Sequence, residues 1–270
     1  MRSRPLLGIA VASLFVLPLV WMMTTSLRPA GLPPPATLEW WPPQATLANY
    51  PTIFGLLPLG RYTLNSVIVV ALAVPLTLVT ASWAGFAMSQ LGPRTRNVLA
   101  AGAVATLLVP VMALWLTRFL IFKWLGVLGS LFTLILPALF GSSPLFVLIL
   151  YWAFRRVPVE VYEAARLDGC GPFRVWWSIA VPLVRPALAA VAVLAFEGYW
   201  SNFVDPLLYV NDQVNFTLPI GVQALQQLHQ TSWPLLMAGS VVLTTPMLVL
   251  FLVAQRFFLH DQQSSAWLGR

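Results

Sequence analysis

The sequence predicts an all-α protein that crosses a lipid bilayer about six times, as a single transmembrane domain over residues 1–270. Three observations carry that prediction. The 270-residue chain is 59% hydrophobic and only 9% charged, where a soluble domain carries about 25% charged residues; its mean hydropathy is +0.82. Its apolar runs reach the roughly 20 residues that span a bilayer as a helix. Its basic residues stand singly or in pairs at the ends of those runs.

That distribution also excludes some functions. A net charge of +7 and a pI near 10.3 would fit a nucleic-acid binder only if the charge were gathered into a patch, so no nucleic acid is expected. Cys170 is the only cysteine, and His229 and His260 lie far apart without cysteine partners. Neither an intramolecular disulfide nor a metal site is expected.

The elements follow in order. Arg2 and Arg4 precede an apolar run from Leu6 to Leu27. The core of a cleaved signal peptide is about 7–15 residues, and this run is longer and ends in Met22-Met23-Thr24-Thr25-Ser26, so it reads as a retained first span. From Arg28 to Arg61 the prolines at 29, 33, 34, 35, 42, 43, 51 and 58 rule out a long helix. Trp40 and Trp41 suit the headgroup level there. The second span reads as Leu64 to Leu91, with Pro75 inside it, and a basic turn at 92–97 follows. The third reads as Val98 to Thr117, kinked at Pro110. Arg118 to Gly129 reads as an interfacial helix. The fourth span, Ser130 to Phe154, is interrupted at Gly141-Ser142-Ser143-Pro144. The fifth runs from Pro186 to Val210. Asn211 to Trp233 is polar, with Gln213, Gln223, Gln226, Gln227 and Gln230 as a solvated outer face or a contact for an external protein. The sixth span, Pro234 to Phe258, precedes a short tail.

Six spans place both termini on one side. With those termini inside, eleven basic residues are cytoplasmic (2, 4, 94, 96, 155, 156, 166, 174, 185, 256 and 270) and four are outside (28, 61, 118 and 123). The positive-inside rule favours that orientation. The Pro-rich 28–61 segment is then external and the polar stretch 157–183 is cytoplasmic.

That polar stretch has a local logic. Pro158 suits a first helical turn, and Glu160 and Glu163 lie toward the end of the helix that favours negative charge. Gly169 can take the left-handed conformation that stops a helix, and Pro172 can begin another, ending before Pro182. The expected form is helix, sharp turn, helix.

Glu163-Ala164-Ala165, then Gly169, Ile179 and Val181-Pro182 at their spacings, resembles the EAA loop of ABC importer permeases; the family often has Leu where Val181 stands. The resemblance implies that this loop docks on an ATP-hydrolysing subunit. Glu163 would face a basic residue there, Ala164 and Ala165 would allow close approach, and Asp168 and Gly169 would set the turn. Leu47-Ala48-Asn49-Tyr50, Ala254-Gln255-Arg256-Phe257-Phe258 and the stretch from Tyr199 to Leu207 resemble the carbohydrate-type branch, the maltose permease relatives. This chain departs from that branch by inserting Ser201 between Trp200 and Asn202 and by placing Asp205 late. The likeness runs from about Leu6 to the end. It implies a bacterial or archaeal cell (inner) membrane location beside lipid, a second homologous permease subunit, and two ATP-binding subunits that carry ATP and Mg. It also implies an extracytoplasmic solute-binding protein and a carbohydrate cargo.

The chain offers no chemistry of its own. A phosphate-binding loop ends in Lys after a Gly-rich turn, and the one lysine, Lys123, lies in FKWLG. No catalytic residue and no bound cofactor are expected. Glu197 lies about 16 Å along its helix from Pro186, near mid-membrane, where a lipid-facing carboxylate costs about 2.5–3.5 kcal/mol. Helical spacing places Glu197, Trp200, Ser201, Val204 and Asp205 on one face, and with Asn202 they form a candidate substrate path; a structural hydrogen bond between spans is the alternative. Other open readings are a permease for polyamines, phosphate esters or another solute, although an anion would call for basic residues lining the spans and none is read mid-span here, and an ion-coupled carrier. A membrane-bound enzyme lacks a convergent set of reacting groups.

Overall fold

The computed structural model describes residues 3–35, 37, 40–228 and 232–265, with side chains from 13 to 255 among them; His229, Gln230 and the side chain of His260 fall outside what is described. All regular structure among these residues is helical. The helices are α1 (Ser3–Ser26), α2 (Asn49–Leu56), α3 (Leu59–Ser89), α4 (Pro93–Leu107), α5 (Trp115–Trp124), α6 (Phe132–Ile135), α7 (Pro144–Arg156), α8 (Val159–Leu167), α9 (Pro172–Leu183), α10 (Arg185–Trp200), α11 (Val204–Tyr209), α12 (Leu218–Leu228) and α13 (Trp233–Ser265).

The candidate spans are more broken than the hydropathy implies. Among the described residues, three helical stretches are long and apolar enough to cross a membrane alone, Leu59–Ser89, Phe132–Arg156 and Trp233–Gln255, and Ser13–Ser26, the part of α1 with described side chains, is a shorter apolar stretch. Two further candidates are bent pairs. Pro93–Leu107 and Val111–Trp124 meet at 91°, and Pro172–Leu183 and Arg185–Trp200 at 85°. The third span, expected to run from Val98 to Thr117 with a kink at Pro110, is therefore corrected to a bent pair. Pro110 has no N–H to donate and forces Val109 out of the helical region, so the chain turns sharply rather than kinks. The interruption expected at 141–144 is present, with Gly141 at φ +76° and Ser142 at φ +63°.

The chain divides into two compact units, Met1–Leu64 with Phe216–Val249 and Asn65–Asn215 with Leu250–Arg270. In the first, Asn49 is buried and its amide donates to the Ser26 and Arg28 carbonyls, both at 2.6 Å. It thereby satisfies carbonyls that the end of α1 leaves without helical partners. The Tyr50 hydroxyl lies 2.9 Å from that of Ser26. Helix α12 buries Leu218, Ile220, Val222 and Leu225 while Gln223, Gln226 and Gln227 stay exposed.

In the second unit α3 and α7 meet backbone to backbone. A Cβ at Gly85 would lie 2.8 Å from the Tyr151 nitrogen and 3.0 Å from the Val147 oxygen. Small residues permit this approach between membrane helices.

Candidate functional site

The 157–183 stretch forms helix, turn and helix. Helix α8 ends at Leu167; Gly169 adopts φ +77°, and the Cys170 N–H reaches back to the Ala165 carbonyl at 3.0 Å. Helix α9 continues through Pro182 to Leu183 instead of stopping before it. Val175–Ala180 is π-helical, and this wider winding accommodates a proline whose N–H is missing. The chain then breaks at Val184.

Helical phase divides α8 into two faces. Tyr162 and Ala165 are buried, at 3% and 5% exposure, in a cluster with Phe86, Phe154, Val175, Trp176 and Val184. The Tyr162 hydroxyl donates to the Phe154 carbonyl at 3.1 Å, and burial pushes its pKa up to about 12. Its ring meets Phe86 edge-on at 5.9 Å, and Phe86 meets Phe154 at 5.6 Å. The elbow is thus seated on the ends of α3 and α7. Glu160, Glu163, Ala164 and Leu167 occupy the opposite face, all exposed. Ala165 is therefore turned inward onto the chain's own core, and only Ala164 of the pair lies on the outward face. Leu167, 89% exposed, was absent from the candidate set. Its spacing of seven from Glu160 and four from Glu163 would have found it.

The residues around the fifth span do not share one face. Helix α10 stops at Trp200 and α11 starts at Val204. Pro206, which has no N–H for the Asn202 carbonyl, suits a break at that point. Glu197 is exposed and accepts from the Ser201 hydroxyl at 3.1 Å. Trp200 is 3% exposed, stacked on Phe196 with centroids 5.7 Å apart.

Asn202 and Asp205 instead line a cavity of about 240 Å³ with Arg118, Ser142, Tyr199 and Phe146. Arg118 meets Asp205 through two contacts, 3.3 and 3.4 Å, and Asn202 donates to Asp205 at 2.9 Å. The guanidinium lies 5.8 Å from the Phe122 ring centroid and 5.6 Å from that of Tyr209. The Tyr199 hydroxyl lies 2.7 Å from that of Ser142 and 3.3 Å from that of Thr77. Arg118, Ser142 and Tyr199 were not legible as site residues, since they come from three separate segments. Arg118 also brings a basic group to a cavity wall where none was expected, though Asp205 balances its charge. Among the described residues no group of three His, Cys, Asp or Glu could hold a metal.

The family described as binding-protein-dependent transport system inner membrane component matches residues 73–260. The sulfoquinovosyl glycerol transport system permease protein of Agrobacterium fabrum is 31% identical over 256 residues, 94% of this chain and 90% of its own. An arabinooligosaccharides transport system permease protein of Halalkalibacterium halodurans is 32% identical over 254 residues, 92% of this chain and 90% of its own. In a crystal structure of a bacterial ABC transporter involved in importing the acidic polysaccharide alginate, one chain shares the fold with a TM-score of 0.75. Its sequence identity is 18%, and the match covers 95% of each chain.

Proposed function

The chain belongs to the binding-protein-dependent transport system inner membrane components, the permease subunits of ABC importers, and from that premise we propose that it carries a sugar or oligosaccharide inward, driven through the α8–α9 elbow by a separate ATP-hydrolysing partner. The relatives named for sugar glycosides and oligosaccharides support the cargo class. The cavity is compatible with it. Hydroxyls from Tyr199 and Ser142, the Asn202 amide and a charge-balanced ion pair offer donors and acceptors with no net charge, which suits neutral hydroxyl-rich solutes.

The observation that carries the drive is the two-faced α8. Its outward face presents Glu160, Glu163, Ala164 and Leu167, while its inward face is clamped to α3 and α7. A partner that closes on ATP and Mg displaces that outward face, and the clamped spans move with it. Asp168 and Gly169 hold the turn, and Pro182 ends the lever near the break into α10. A second homologous permease, a pair of such ATPases and an external solute-binding protein complete the assembly. Both termini face the cytoplasm.

Glu163→Arg tests the drive. Charge reversal at a docked, hydrogen-bonded carboxylate costs at least about 2 kcal/mol, more than tenfold in partner affinity. Sugar uptake is expected to fall at least about tenfold while membrane insertion stays at the wild-type level. Unchanged uptake would refute the docking role.

A further inference from the structure

Four arginines line a second cavity, of about 540 Å³, where α3 ends, α4 begins, α7 ends and α8 begins. They are Arg96, Arg155, Arg156 and Arg166, with Glu160 as the one carboxylate. None of the four carries an ion pair among the described residues. Arg166 donates to the Gln90 side chain at 2.6 Å. The Arg96 Nε is buried and has no hydrogen-bond partner. The charge balance of the cavity is thus +3, four guanidiniums against one carboxylate.

Orientation signals alone explain arginines at span ends, but they require neither a concave arrangement nor a buried unpaired donor. An uncompensated guanidinium atom out of water is costly unless an acceptor reaches it. The site's depth narrows the acceptor. Helix α3 and the stretch Phe132–Arg156, of which α7 is the last part, are candidate spans that end at Ser89 and Arg156, a position that puts the cavity at the level where hydrocarbon gives way to headgroups. Leu91, Phe154 and Val157 supply an apolar margin. The N-terminus of the 15-residue α4 opens beside it and adds the favourable end of a helix dipole. Guanidinium forks match phosphate oxygens in geometry.

We propose that this cavity binds a phosphate group at the cytoplasmic surface of the membrane, gripped by Arg96, Arg155, Arg156 and Arg166. The two sources of that chemistry are the headgroup of an anionic phospholipid and free phosphate in the cytoplasm. Because α8 forms one wall and Arg166 ties it to Gln90, the residue that follows α3, the bound phosphate braces the elbow against the spans. The inference does not depend on which solute is carried.

The test uses the full chain purified from its membrane with the partners it retains. It is placed in nanodiscs of phosphatidylcholine alone or with phosphatidylglycerol, and native mass spectrometry counts retained phosphatidylglycerol. Arg96→Gln with Arg156→Gln is expected to reduce retention at least about tenfold, since two direct guanidinium–phosphate contacts are lost together. Arg94→Gln with Arg185→Gln removes the same charge outside the cavity and is expected to retain lipid like wild type. Matching elution profiles and melting temperatures exclude misfolding as the cause. In a second arm, inorganic phosphate is titrated against the phosphatidylcholine nanodiscs, and protection of the cavity arginines from phenylglyoxal is read by peptide mapping. Lipid retention that falls only in the cavity variant supports the site with a lipid ligand. Protection by inorganic phosphate without selective lipid retention supports it with a soluble one. Equal retention in both double variants together with no protection overturns the proposal.

Discussion

Leu167→Ala separates docking from folding, because Leu167 is 89% exposed in the chain itself. An exposed side chain adds little to stability, and surface substitutions fall within about ±0.5 kcal/mol. A partner that covers the outward face of α8 would bury nearly the whole side chain. Full burial of a leucine is worth about 1.5–3 kcal/mol, and its truncation would forfeit about 2 kcal/mol, roughly a thirtyfold weaker partner complex. The expected pattern is a normal melting temperature and normal membrane level, with partner retention during purification and sugar-stimulated ATP hydrolysis both sharply reduced. Ala165→Leu, two residues away and on the opposite face of α8, is the contrast. Ala165 is 5% exposed inside the aromatic cluster, where added volume costs about 1–3 kcal/mol of stability, so the melting temperature should fall first. Partner retention within twofold of wild type for Leu167→Ala would refute the reasoning, since it would leave the most exposed apolar side chain of the elbow unburied in the assembly.

Gly85→Ala places a Cβ 2.8 Å from a backbone nitrogen of α7; the helices must part, and a thermal melt in detergent should register a loss of about 1–3 kcal/mol. Tyr162→Phe keeps the ring contacts and removes the bond to the Phe154 carbonyl, a cost of about 1 kcal/mol. Its pH dependence has a definite sign. The folded phenol, at about 12, holds its proton more tightly than the unfolded one near its ordinary value of 10.0, so its stabilisation is complete below pH 10 and is lost as the pH rises through 12; difference absorbance between wild type and Tyr162→Phe should show that late phenolate. Asp205→Asn leaves Arg118 facing the cavity uncompensated. A cost of about 1.5–3 kcal/mol is expected from a lost charged hydrogen bond, with partial recovery in the Asp205→Asn, Arg118→Gln double variant; additive melting-temperature losses would deny the coupling.

The sequence made the helical class and the elbow legible because both are written locally. Apolar run length needs no tertiary information, and neither does the order Pro158, Gly169, Pro172. What it hid was direction. Hydropathy sums over a window are indifferent to a bend, so Pro110 marked a break but not a 91° one. The EAA pattern named Ala165 without its phase, and only the packing of Tyr162 beside it turns that residue inward. The cavity at Asp205 was hidden for another reason. Its hydroxyl pair joins residues 57 apart and its ion pair residues 87 apart, so no local spacing announced it. Glu197 attracted notice because a mid-span charge is costly; the Ser201 hydroxyl meets part of that cost from one helical turn away.

The same two helices serve both ends of the second unit. On α7, Phe146 borders the cavity and Phe154 holds the elbow; the helix is 13 residues, about 20 Å, long. On α3, Thr77 contacts Tyr199 while Phe86 packs under Tyr162. The Gly85 contact lies between those levels and joins the two helices without intervening side chains. Closely packed interiors transmit displacement because they compress little. On the proposed drive, a push on Leu167 and Glu163 would reach Thr77 and Phe146 through α3 and α7, which run as continuous helices between the two levels. Loosening Gly85 should weaken transport beyond its effect on stability, whereas loosening the exposed face of α8 should weaken the partner complex and leave the cavity intact.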